Sequence, residues 1–359
     1  MLTGTGRSKR GAKRVGTRMR SALLLGLLLA CGSGGCRSGP EAARFEVAPW
    51  AWGGRAGQRL TSEHFVVYTT VEDAALARSF PVLLERAYRE HRLRMPALRP
   101  NELRMETFVF GSRREWEAYT RTEYPQSFAV YRLIRAGGFT EGGRAVLFHT
   151  TPAVTLATVA HESWHQYVET CAGGTLPAWL NEGLACYHES FDFTHTPPRP
   201  IPLNNSFRLE HLRQSLTTGS RFTLRELLET EPGEVLSRDD ASVTQTYYAG
   251  VWALTAFLCH GQGGRFAKAF DRMMSDAASG TLGIRVRASV LTEGAATGSS
   301  FGHAVFVLYF GGVDEAMEEA FAEYIAGLAG VAADVERWPT TTDPRTEPQR
   351  VPEDGGDRI

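Results

Sequence analysis

The chain first shows stretches of period-two and β-branched character, then long stretches of helical period. Residues 59–70 (RLTSEHFVVYTT) are rich in β-branched and aromatic side chains and predict a strand. Residues 74–93 place Leu76, Phe80, Leu83, Leu84, Ala87 and Tyr88 at helical spacing, with Pro81 as a kink or a late start. Residues 104–110 predict a second strand, and Ser112 with Glu115 a capping box for a helix to about Tyr119. Gly137-Gly138 and Gly142-Gly143 bracket a turn before a third strand at 144–149. Thr151 and Pro152 then open a helix running to about Val168.

Helical period dominates from there on. Residues 176–187 (LPAWLNEGLACY) predict a short helix, and the Pro- and Asn-rich stretch 191–206 a loop. Thr223 and Glu226 cap a helix bearing Leu224, Leu227 and Leu228. Residues 245–260 form a strongly apolar helix stopped by Gly261 and Gly263-Gly264. Asp314 starts a last helix with Met317, Phe321, Ile325 and Leu328 on one stripe, and the polar residues 331–359 predict a disordered tail. The chain therefore divides into an α/β part over 55–170 and a helical part over 171–330, an α+β arrangement.

Charge changes the picture at the N-terminus. The whole chain has 39 basic and 40 acidic residues, a net charge of -1, which excludes a basic nucleic-acid footprint. Seven of the bases lie before residue 21, ahead of an apolar run at 22–30 (ALLLGLLLA) that is too short to span a bilayer as a helix. Basic stretch, short apolar run and small residue make a secretory signal, with Met1 or Met19 as its start. The run ends Leu29-Ala30-Cys31 and resembles a bacterial lipoprotein signal, which implies a lipidated Cys31 and a protein held at the cell envelope without crossing the membrane. Residues 1–31 are then the signal and 32–54 a flexible tether. Export permits disulfides, and Cys171 with Cys186 is the first candidate pair, against buried thiols as the alternative.

The chemistry concentrates in His161-Glu162-Ser163-Trp164-His165. On a helix, residues four apart share a face, so both imidazoles reach one cation. Glu162 lies about 100° round, placed to take a proton from water beside that cation rather than to bind it. A catalytic zinc takes three protein ligands and keeps one position open. Glu182, in Asn181-Glu182-Gly183-Leu184-Ala185, is a carboxylate in an apolar segment sixteen residues beyond His165, and a buried carboxylate needs a partner. The expected site is one Zn2+ held by His161, His165 and Glu182, with Glu162 as general base. His188, His195, His211, His260 and His303 lack ligand spacing and read as surface or core residues.

These two motifs resemble the gluzincin metallopeptidases, the thermolysin and aminopeptidase N group. The likeness is nearest to a family of uncharacterised exported bacterial proteins with peptidase-like motifs and extends loosely over residues 55–330. It implies a zincin-like fold: a small N-terminal mixed sheet with helices, a mostly helical C-terminal part, and the active-site helix between them. It implies a peptide or protein substrate lying along the strand at 144–149. It further implies an oxyanion-stabilising tyrosine, Tyr247 by its spacing to Gly250 or Tyr248 by likeness to the uncharacterised family. The Gly-x-Met-x-Asn sequence of aminopeptidase N is absent, so no aminopeptidase is implied.

The expected protein is a monomeric, envelope-tethered zinc endopeptidase. A zinc hydrolase of another bond and a non-catalytic metal-binding lipoprotein are the alternatives, and an intact Glu162 speaks against the latter.

Overall fold

A computed structural model describes residues 44–96, 103–171, 176–238, 240–293 and 300–331. In chain order its N-terminal part holds β1 (Glu46–Trp52), β2 (Arg55–Thr61), β3 (Phe65–Thr69), α1 (Ala74–Arg94), β4 (Met105–Phe110), α2 (Arg113–Glu123), α3 (Phe128–Tyr131), β5 (Gly138–Glu141), β6 (Arg144–Phe148) and α4 (Pro152–Cys171). The remainder is mostly helical. It comprises α5 (Ala178–Tyr187), the short pair β7 (Phe191–Asp192) and β8 (Arg199–Pro200), α6 (Ser206–Thr218), α7 (Leu224–Glu229), α8 (Pro232–Leu236), α9 (Ala241–Gly264), α10 (Ala267–Ala278), α11 (Leu282–Glu293), α12 (Phe301–Phe310) and α13 (Glu315–Ala329). The architecture is α+β with an N-terminal sheet.

The sheet runs β1-β2-β3-β4-β6-β5. β3, β4 and β6 are parallel, while β1–β2, β2–β3 and β5–β6 are antiparallel. One face carries Leu60, Phe65, Val67, Met105, Val109 and Leu147, and it joins the main core beneath α1 and α4. The other face is an aromatic layer of Phe108, Phe110, Phe139 and Phe148, closed by Trp116 and Tyr119 of α2. Alternation along each strand sends its side chains to both layers.

Five expectations need correction. The stretch expected as tether contains β1, with Pro49 tolerated because β1 is an edge strand paired only to β2. The strand expected at 59–70 is two strands, β2 and β3, turning at Ser62, whose amide donates to the Phe65 carbonyl. The segment expected as a substrate-binding edge, β6, is flanked by β4 and β5, so its backbone is already engaged. The free edge beside it is β5. The loop expected at 191–206 holds the β7–β8 pair. Ser112 does cap α2, but the Glu115 side chain turns instead to Thr70 and Arg55.

Helix capping follows the local sequence elsewhere. Asp73, Thr223 and Asp314 accept from backbone amides at the starts of α1, α7 and α13, and Thr223 with Glu226 closes a full capping box. The regular run of α9 stops after His260, because Gly261, Gln262 and Gly263 leave helical conformation.

α5 lies between α4 and α9. It crosses α9 at Gly183, where a Cβ would collide with the Thr255 hydroxyl and stand 2.7 Å from the Val251 carbonyl oxygen. No helix among the described residues is long and apolar enough to cross a membrane. The signal segment, Cys31 and Cys36 lie outside the described residues, as do 332–359 of the expected tail.

Candidate metal centre

α4 is an apolar helix wedged between α1, β5, β6 and α5, so its polar motif is buried. His161 and His165 share one face, and α5 returns so that Glu182 meets them. His161 Nε2 is 3.2 Å from His165 Nε2, Glu182 Oε2 is 3.4 Å from His161 Nε2, and 3.5 Å separates it from His165 Nε2. Donors about 2.0–2.2 Å from a tetrahedral zinc ion stand about 3.3–3.6 Å apart, so this triangle has the dimensions of one face of such a site. Glu182 Oε2 is buried and makes no hydrogen bond within the described residues. A buried oxygen with no hydrogen bond, facing two imidazole nitrogens, has the chemistry of a candidate cation ligand. The residues present fit zinc.

The rings are oriented from behind. His161 Nδ1 donates to Glu189 Oε1 at 2.8 Å, which leaves Nε2 to face Glu182 and His165. Glu189 is itself gripped by Arg208, through Nε to Oε2 at 2.9 Å and Nη2 to Oε1 at 2.6 Å, and by Asn205 Nδ2 at 2.9 Å. Burial alone would raise the Glu189 carboxyl, but Arg208 and the His161 bond outweigh it and hold it at about 2. Burial would likewise raise Glu182, yet the two imidazoles hold it far below the usual carboxylate range. Burial would lower His161 and His165. The contacts of His161 with Cys186, Glu182 and Glu189, and the charge of Glu182 on His165, raise them instead.

Glu162 is not one of the three converging donors and is 5% exposed. The Thr140 hydroxyl on β5 donates to its Oε2 at 2.8 Å. Burial raises its pKa, opposed by His161, His165 and the Thr140 bond. Glu162, His161 and Tyr248 line one open cleft of about 1080 Å³, whose walls include Leu156 and Phe207.

The two tyrosines part company. The Tyr248 ring lies 6.0 Å from that of His161 and borders the cleft. Tyr247 faces the other way, its hydroxyl donating to the Thr230 carbonyl at 3.2 Å, so it does not reach the site. Cys186 is a free thiol with Sγ 3.9 Å from His161 Nδ1, and the bridge expected between it and Cys171 is not made. α5 turns that thiol toward α4.

Sequence reasoning missed Thr140, Glu189, Asn205 and Arg208. Asn205 and Arg208 had a usable signal: Asn205 caps α6 and Gly219 ends it in the left-handed region, a start and stop pair around a helix of mixed pattern. Glu189 and Thr140 had none, since their roles arise from elements far apart in the chain.

A family profile described as "Protein of unknown function (DUF1570)" matches residues 155–277, about a third of the chain. That segment is similar to an uncharacterised domain family, and it contains His161, Glu162, His165, Glu182, Glu189, Arg208 and Tyr248. No curated protein and no solved structure matches the chain. The gluzincin resemblance of the motifs therefore rests on the residues themselves.

Proposed function

We propose that the protein is a zinc-dependent metallopeptidase with a zincin-like active site, tethered to the bacterial cell envelope through Cys31. The observation that carries this reading is the donor triangle of His161, His165 and Glu182 with Glu162 beside it, opening on a cleft large enough for a polypeptide.

When bound there, zinc would acidify a water and polarise a carbonyl oxygen. The protein's own groups supply the rest. Glu162 accepts the water's proton as the peptide carbonyl is attacked and returns it to the departing amine. Thr140 fixes the carboxylate that does this. The Tyr248 hydroxyl makes no hydrogen bond among the described residues and stands on the cleft wall, where it can donate to the developing oxyanion. An extended substrate adds to the free edge of β5, which runs past Glu162 and contributes Gly138 to the cleft.

The test is cleavage of a mixed peptide library by the full chain, with and without zinc and with a chelator. Zinc-dependent cleavage of internal peptide bonds supports the reading. Zinc bound without cleavage of any peptide would overturn the peptidase assignment.

A further inference from the structure

Arg208 is a buried cation, and each of its three guanidinium nitrogens donates a hydrogen bond. It grips both oxygens of Glu189, donates Nη1 to Gln245 Oε1 at 3.2 Å, and lays its face on the Tyr248 ring with Cζ 5.2 Å from the centroid. Burying a charge this thoroughly is costly without such pairing. The same Glu189 receives the His161 Nδ1 proton and the Asn205 amide, and Asn205 Oδ1 accepts from the Arg208 backbone amide to cap α6. The start of α6 is thus fastened to the carboxylate that aims His161.

We propose that Arg208 is a positioning residue for the metal centre. Through Glu189 it fixes the ring of His161 so that Nε2 faces Glu182 and His165. The inference rests on the zinc reading above and adds to it a remote determinant of metal affinity. Arginine is required for two reasons. Its planar fork matches both Glu189 oxygens at once, and its flat face stacks on Tyr248. A lysine ammonium can do neither.

The test is zinc affinity, measured by competition with a chromophoric chelator on the folded fraction of the full-length protein. Arg208→Lys and Glu189→Gln should each weaken zinc binding by about 10–100-fold. Arg208→Met strands a buried carboxylate and can unfold the protein, so Glu189→Gln/Arg208→Met, which removes both charges, completes the cycle. In that background the Arg208 change should cost almost nothing further, because its route to His161 is already cut. Wild-type affinity in Arg208→Lys would overturn the proposal, as would a full penalty for Arg208→Met on top of Glu189→Gln. Either result leaves the zinc reading standing. A wild-type chain that takes up no zinc would sink both.

Discussion

The helices α4 and α5 bury two pairs of histidines on opposite flanks, and the two pairs behave in opposite ways. On one flank His161 and His165 face Glu182, with Glu189 behind, and both imidazoles are held above their usual pKa. On the other, His91 of α1 and His188 meet edge to face with ring centroids 4.7 Å apart, and His188 stacks on Trp164. No carboxylate among the described residues reaches this second pair. The His91 Nε2 donates to the Ser163 hydroxyl at 2.9 Å, while His91 Nδ1 and His188 Nε2 make no hydrogen bond within the described residues. Burial pushes His91 well below its usual range and, with the Arg94 charge, takes His188 to about 3. Burial is common to both flanks. The difference is that acidic side chains converge on one flank only, and that difference makes one pair a candidate cation site and the other a neutral part of the core.

The comparison can be broken most severely at Glu162. Glu162→Gln should cut hydrolysis by about 10²–10⁴-fold while zinc content, read by metal analysis, stays at wild type. Unchanged turnover would remove Glu162 from the chemistry. Next is the acid that distinguishes the flanks. In the wild type, zinc at one hundred times its Kd should stabilise the fold by about 2.7 kcal/mol in denaturant unfolding. In Glu182→Ala that gain should vanish, because His161 and His165 would face each other with no carboxylate between their Nε2 atoms, and Glu189 would remain only behind His161.

The third prediction concerns pH. A histidine whose folded pKa lies below its unfolded value takes up a proton on unfolding, so it withdraws stability as pH falls from about 6.5 toward about 3. One such group removes about 2 kcal/mol by pH 5. Urea midpoints of His188→Phe should therefore fall less than wild type between pH 7 and pH 5; parallel losses would show that His188 is not kept neutral. The smallest effect is expected at Thr140. Its hydroxyl favours the charged form of Glu162, so Thr140→Val should shift the acid limb of the pH–rate profile upward and cost about 1 kcal/mol of transition-state stabilisation. An unmoved limb would mean that the bond does not tune Glu162.

Much of this site was legible because its ligands lie in local patterns. Four-residue spacing put two imidazoles on one helix face, and an acid in an apolar run announced a third donor. The caps at Thr223 and Asp314 were equally local. What escaped the sequence was relational. β5 has four residues, only three of them between the glycine pairs, too few to show a period, and it exists because β6 offers an open edge. β1 reads as linker, with a proline in its middle, until β2 pairs with it. Tyr247 and Tyr248 are adjacent in an apolar helix, and only the packing of α9 decides which faces the cleft. Glu189 becomes a partner of His161 only once α6 delivers Arg208 to it.

Gly183 gives the Asn-Glu-Gly triplet a meaning that coordination alone would miss. Even a methyl group there would strike both a side chain and the main chain of α9. α5 would have to retreat and would carry the neighbouring Glu182 out of register with the imidazoles. The bite of the candidate cation site is therefore set by how deeply two helices nest. Exchanges at Val251 or Thr255, on the far side of that crossing, could retune the preference for one ion over another while every donor atom keeps its identity.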